Sequence, residues 1–146
     1  MIDLIKNLYI AELKKHIRLS LEYKRSRGEY TGLAPIGYKN IQNQKNKSDV
    51  IVDTERAPII VKLFNAYATG EYTIKQLTKL AHSLGLVNRQ GKFISEGCIS
   101  NMLQNPFYYG EFLIKGKIYP HIYPKLIDKS LFDTVQTIMK SQKGNK

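Results

Sequence analysis

The stretch from Tyr72 to Pro106 is the most heavily punctuated in the chain, and it dictates two short helices joined by a turn. Thr73 is followed three residues later by Gln76. That is the spacing of a capping box, in which each side chain satisfies a backbone N–H that helix geometry leaves unpaired. Tyr72 and Leu77 bracket the box as a hydrophobic staple. Ile74, Leu77, Leu80, Ala81 and Leu84 recur at helical spacing, and Gly85 supplies the left-handed closing residue. Val87 to Ile94 contains Arg89-Gln90-Gly91-Lys92, a turn between two short extended pieces. Ser95 then caps a second helix with Ile99, Met102 and Leu103 apolar, and Asn105-Pro106 stops it.

The flanking segments read less uniformly. Ile2 to about Arg27 has no Gly or Pro and places Ile2, Ile5, Tyr9, Leu13 and Ile17 at helical spacing, so it predicts a long helix with an apolar stripe. Its second half is basic, with Lys14, Lys15, Arg18, Lys24, Arg25 and Arg27. Such a helix can lie along phosphates. It can equally dock on its own domain, with cations favoured at its C-terminus by the macrodipole. Gly28 to Lys47 lacks periodicity and predicts a structured loop around Gly28, Gly32, Pro35 and Gly37, then a mobile polar tip from Asn40 to Ser48. Val50-Ile51-Val52 predicts a strand. Asp53 or Thr54 is expected to cap the next helix, with Pro58 in its first turn, Ile60, Leu63, Phe64 and Tyr67 as its core stripe, and Gly70 at its end. Tyr109 to Tyr119 alternates around Lys115-Gly116 as a hairpin. A last helix is expected from near Asp128, with Phe132, Val135, Ile138 and Met139 inward and a frayed polar tail after Lys140. The whole predicts a mainly α, α+β domain: four or five helices including a helix-turn-helix-like pair, one or two short β-hairpins and a protruding N-terminal helix. With 42% apolar residues in 146, there is enough to fill a core.

Lys and Arg number 23 against 12 Asp and Glu, a formal charge of +11. Phosphates release counterions when basic side chains neutralise them, so this imbalance points to a polyanionic partner. A solvated basic surface is the plainer alternative. Residues 1–48 hold ten basic and four acidic side chains, residues 49–110 six and five, and residues 111–146 seven and three. The middle therefore reads as the packed body and the ends as contact surfaces. No apolar run approaches the roughly 20 residues that span a bilayer. Asp3, Lys6 and Glu12 interrupt the first thirteen residues, unlike a signal peptide. Cys98 is the only cysteine, which excludes internal disulfides and cysteine zinc sites and agrees with a cytoplasmic location.

In a helix-turn-helix the second helix enters the major groove and presents polar residues from its N-terminal half. Here that helix offers Ser95, Glu96, Ser100, Asn101 and Gln104, of which Ser95, Ser100, Asn101 and Gln104 are candidates to pair with base edges. Gly97 permits close approach to a surface, and Arg89 and Lys92 are placed for phosphates. The connection is longer than a simple turn, so two core helices with a hairpin between them also account for the pattern. His16, His82 and His121 lack metal-ligand spacing, and His16 and His82 read as solvated. The carboxylates show no convergent pair. Cys98 falls in a first helical turn, where a thiolate is stabilised, yet a half-buried packing cysteine is the expected role. Tyr108, Tyr109, Tyr119 and Tyr123 suit either packing or phosphate contact, with packing the default. No metal, cofactor or small-molecule ligand is expected.

Several strings, in order, resemble one family. Arg25-Ser26-Arg27-Gly28-Glu29-Tyr30-Thr31-Gly32 and Ala34-Pro35-Ile36-Gly37-Tyr38 resemble the start of the recombinase domain of large serine recombinases. Val52-Asp53 to Gly70, Thr73-Ile74-Lys75-Gln76-Leu77 and Leu84-Gly85-Leu86 follow in matching places. Met102-Leu103-Gln104-Asn105-Pro106-Phe107-Tyr108-Tyr109-Gly110 is similar to the family's most recognisable string, and Ile127-Asp128, Phe132 and Val135-Gln136 to its last helix. The resemblance covers about residues 14–140.

It implies a DNA-binding domain of a phage integrase, transposase or invertase that recognises half of an attachment or crossover site in double-stranded DNA. In such proteins a separate resolvase-like domain carries the nucleophilic serine, and a zinc ribbon normally adds a second DNA contact. Residues 1–27 are then the connecting helix from that catalytic domain, 28–140 the recombinase domain and 141–146 a polar tail. Ser20 and Ser26 lack the nucleophile's context, so no catalytic residue is expected here and strand cleavage is expected to need the other domain. Expected phosphate contacts are Lys24, Arg25, Arg27, Lys39, Arg89, Lys92, Lys115 and Lys117, with the Gly28–Gly37 loop along the minor groove. Any self-association is expected through the Ile2–Ile17 stripe. The alternative function is a stand-alone DNA-binding regulator or recombination directionality factor.

Overall fold

The computed structural model describes residues 2–30, 32–42 and 48–144. Thr31, most of the expected polar tip (residues 43–47) and the end of the tail lie outside the described residues. Helix α1, Ile2–Ser26, projects from the rest of the chain. Its apolar residues Leu4, Ile5, Leu8, Tyr9, Leu13 and Ile17 are between 47% and 69% exposed. This overturns the reading in which α1 docks on its own domain.

The body begins at a sharp junction. Gly28 is left-handed, with φ +84°, and a Cβ there would come within 2.8 Å of Ile122 Cγ2, so only glycine fits. Ile122 N–H donates to the Gly28 carbonyl and Tyr30 N–H to Tyr123 Oη. Strands β1, Tyr38–Gln42, and β2, Ser48–Val52, then form an antiparallel hairpin, with Tyr38 opposite Val52 and Gln42 opposite Ser48. The first part of the expected mobile tip is therefore strand. Its local pattern is too polar to reveal that, and the pairing partner ten residues away decides it.

Helix α2, Ala57–Ala68, starts later than the sequence suggests. Asp53 Oδ1 accepts from the backbone N–H of Glu55 and Arg56, so it caps the preceding turn rather than the helix. Ile60, Leu63, Phe64 and Tyr67 are fully buried, as their spacing requires. Helix α3, Ile74–Ser83, has both bonds of the Thr73–Gln76 capping box, and Gly85 follows it in the left-handed region. Helix α4, Glu96–Leu103, is capped by Ser95 Oγ, which accepts the Cys98 N–H at 3.2 Å. Asn105 caps a 3₁₀ turn, Pro106–Tyr109. Strands β3, Glu111–Ile114, and β4, Lys117–Pro120, form the second hairpin. Helix α5 runs from Lys129 to Gly144, farther than the frayed tail expected after Lys140. Gln142 holds this last part by accepting from Tyr67 Oη at 2.7 Å and donating to the Tyr72 carbonyl at 2.9 Å.

Helix α2 packs on α3 and α5, and α4 packs on α3 and α5. One core joins these helices to the 3₁₀ turn and both hairpins. Each fully buried Leu, Ile or Phe there contributes about 1.5–3 kcal/mol relative to exposure. Tyr38 and Tyr108, both buried, donate their hydroxyls to the carbonyls of Pro124 and Ile36. Burial pushes the Tyr38 phenol up to about 12. Tyr108 and Tyr123 are core residues and Tyr109 and Tyr119 are half-buried, which favours packing for these four tyrosines. None of the helices among the described residues is long and apolar enough to cross a membrane.

Candidate nucleic-acid interface

Helix α4 buries Ile99, Met102 and Leu103 and leaves Glu96, Gly97, Cys98, Asn101 and Gln104 exposed, with Ser100 at the edge. At 100° per residue, Gly97, Ser100, Asn101 and Gln104 share one outward face. Gln104 Nε2 donates back to the Ser100 carbonyl and Oγ, at 3.1 and 3.2 Å. Those two candidates are thus tied together, while Asn101 enters no side-chain hydrogen bond among the described residues. Cys98 is exposed, against the expectation of a packing role. Gly97 has no left-handed backbone, and a Cβ there would meet only Ser95 Oγ, at 3.9 Å. Nothing in the fold requires glycine at this position.

The turn before α4 is held from several sides. Asn88 Oδ1 accepts from the N–H of Gln90 and Lys92, and Asn88 N–H donates to the Lys92 carbonyl. Arg56 Nε donates to the Val87 carbonyl at 2.9 Å, and its Nη1 pairs with Asp53 Oδ2 at 2.7 Å. Burial alone would raise the Asp53 pKa. The Arg56 guanidinium and the Glu55 and Arg56 amides outweigh that and hold it below the usual carboxylate range. The turn thereby presents exposed Arg89 and Lys92 in a set geometry.

Arg89 has a partner that sequence could not name. Its guanidinium donates to the Ala34 carbonyl, 55 residues away. The Ala34 N–H donates to Asn40 Oδ1 at 2.9 Å, and Asn40 Nδ2 donates to the Gly32 carbonyl at 3.2 Å. Arg89 therefore clamps the Gly28–Gly37 loop to the turn before α4, and Asn40 ties the same loop to β1. Lys39 projects into solvent from β1 beside Asn40.

At the end of α1, Lys24 is exposed and Arg25 half-buried, its Nε unpartnered among the described residues. Arg27 pairs with Glu29 at 3.2 Å with its side chain 56% exposed, a contact worth little. Neither arginine is consumed by a buried ion pair. Lys115 and Lys117 lie at the tip of the β3–β4 hairpin, with Lys117 Nζ over the Tyr119 ring. The structure joins Arg89 to the loop, and the same turn carries Lys92 and leads into α4. No hydrogen bond or ion pair among the described residues brings Lys115 or Lys117 to them.

His121 was legible only as a non-ligand. It is buried, with Nε2–H donating to the Phe107 carbonyl at 2.6 Å and Nδ1 accepting from the Tyr123 N–H at 3.1 Å. Both nitrogens are used in the neutral form. Burial, with a smaller push from Lys125, lowers its pKa. His121 thus helps fix the segment on which the α1 junction rests. His82, which the sequence reads as solvated, donates Nε2–H to the Ile94 carbonyl at 2.7 Å, and its ring lies tilted against Phe93. The framing residues Asn40, Arg56 and Asn88 left no sequence signal beyond Asn88 preceding a turn.

The fold and this surface define a mainly helical domain built on a widened helix-turn-helix pair, α3 and α4. The chain belongs to the recombinase family, whose model, Recombinase, matches residues 54–142. Two solved structures are similar to it. One, from a crystal structure of an LSR–DNA complex, has 21% identity and a TM-score of 0.67 over 86% of this chain and 38% of that one. The other concerns the sequence requirements of the Listeria innocua prophage attP site, with 23% identity and a TM-score of 0.65 over 84% of this chain and 50% of that one. The chain therefore spans half or less of the length of these two structures. No curated protein matches it.

Proposed function

We propose that this chain is the DNA-binding recombinase domain of a large serine recombinase. It recognises half of an attachment or crossover site so that a separate resolvase-like domain can cleave and exchange strands. The observation that carries the reading is the α4 face. A glycine the fold does not need sits among Ser100, Asn101 and Gln104, directly after a turn that presents Lys92 and Arg89. A flat polar helix face beside cations suits the major groove, where amide side chains pair with base edges.

The phosphate contacts divide by geometry. Lys24, Arg27, Lys39, Lys92, Lys115 and Lys117 are exposed and suited to phosphate. Arg25 is half-buried, and Arg89 acts first as a loop clamp. The Gly28–Gly37 loop lies beside the α4 turn through that clamp, which supports its passage along the adjoining minor groove.

Helix α1 supplies the connection to the catalytic domain. Its exposed stripe, Ile5, Tyr9, Leu13 and Ile17, supports pairing with a second copy. Sedimentation against concentration tests this: Leu13→Glu is expected to shift any dimer to monomer, and a monomer at all concentrations refutes pairing.

The main test is binding of fluorescent duplex DNA across a salt series. Each neutralised phosphate contributes a slope of about −0.9 in log K against log[salt], so six contacts predict a slope near −5. A flat response refutes the reading.

A further inference from the structure

We propose that Phe93 is an apolar base reader that packs on a thymine methyl at the edge of the groove α4 enters. The inference rests on the major-groove reading of α4 and adds a specificity residue to it.

Beyond α1, Phe93 is the only exposed Phe or Tyr among the described residues, at 62%. A single exposed apolar side chain is ordinary; the way this one is held is not. Its backbone pairs with Val87 in an isolated antiparallel bridge. Asn88 fixes the preceding Lys92 N–H, and the following Ile94 is buried at 2%. The His82 ring lies against one side of the phenyl, 4.8 Å between centroids and inclined 37°. His82 is itself anchored to the Ile94 carbonyl. One side of the ring is therefore supported and the rest faces solvent, two residues before the Ser95 cap of α4.

The chemistry narrows the occupant. A phenyl ring can neither donate nor accept a conventional hydrogen bond, so it gains nothing from phosphate or from a polar base edge. The thymine C5-methyl is the apolar feature of the major groove, and Phe is among the side chains that contact it. Lys92 next to Phe93, and Arg89 in the same turn, bring this edge toward a polyanion rather than toward an apolar protein surface.

The test uses the full chain. Preferred duplexes are selected from a randomised pool, and each dT is then replaced in turn by dU, which removes only the methyl. Wild type is expected to lose about fourfold in affinity at one or two positions, the factor for one methyl-sized group leaving an apolar contact. Phe93→Ala is expected to be indifferent to those replacements and to keep the wild-type salt slope. Phe93→Leu, which keeps an apolar group, is expected to retain part of the discrimination. Thermal melts of both variants check the fold.

Equal thymine-to-uracil discrimination in wild type and Phe93→Ala overturns the proposal, as does its absence in wild type. If Gly97→Ala or Asn101→Ala still alters binding in that case, the major-groove reading stands without Phe93. If neither alters it, that reading fails and takes this inference with it.

Discussion

Gly97→Ala is expected to move stability and DNA affinity in opposite directions. The residue lies in the first turn of α4, with no left-handed backbone, and beyond its chain neighbours and its own helix backbone no heavy atom lies nearer than 3.9 Å to an added Cβ. Alanine therefore fits without strain and removes the entropic cost of helical glycine, about 0.5–1 kcal/mol in a helix interior. The lower end applies here because the first turn makes few intrahelical bonds. For a chain of this size the gain corresponds to a rise of about 1–3 °C in Tm by differential scanning calorimetry. In the proposed docking on DNA, a methyl at this position forces the helix outward from the base edges. A displacement that disturbs one bidentate pair costs about 1–3 kcal/mol, or roughly five- to 150-fold in Kd. Fluorescence anisotropy on the selected duplex measures this. A more stable variant with unchanged Kd would refute the claim that this face meets DNA. A less stable variant would refute the claim that the fold has no need of glycine here.

Other outcomes follow from the same geometry. His121→Phe leaves the Phe107 carbonyl and Tyr123 N–H without their side-chain partner, so it is expected to cost about 1–3 kcal/mol near pH 7 in a urea melt. Because the fold lowers the His121 pKa, the unfolded chain binds the proton more readily. Wild-type stability from this group is full above about 6.5 and declines as pH falls below it, so the gap between the two proteins should narrow toward pH 5. A constant gap would show that His121 is not held neutral. Lys92→Ala is expected to reduce the salt slope by about one. Arg89→Ala is expected to speed hydrogen exchange at Ala34 and Tyr38 as the loop loses its clamp. Protection unchanged from wild type would remove Arg89 from that role.

Helices were legible wherever their determinants are local. The Thr73–Gln76 box, the Ser95 cap and the apolar spacing of Ile60, Leu63, Phe64 and Tyr67 each act within a turn or two, and the structure has all of them. Strand β1 was not legible, because Lys39, Asn40 and Gln42 read as loop until β2 pairs with them. From the sequence Asp53 reads as the cap of α2, but it caps the turn at residues 54–56, which intervenes before that helix. Cys98 looked like a packing residue by type and proved exposed, because α4 turns Ile99 and Met102 inward instead.

By itself the sequence determined the helices, the net charge of +11 and the ordered motifs of the recombinase family, all of which depend on residue identity and near neighbours. Tertiary structure alone decided which neighbours individual side chains meet. It put Arg89 on Ala34, set Phe93 against His82, buried His121 between Phe107 and Tyr123, and left Gly97 with space around it. Each of these depends on contacts between elements, and no local pattern of residue types encodes which neighbour a side chain will meet.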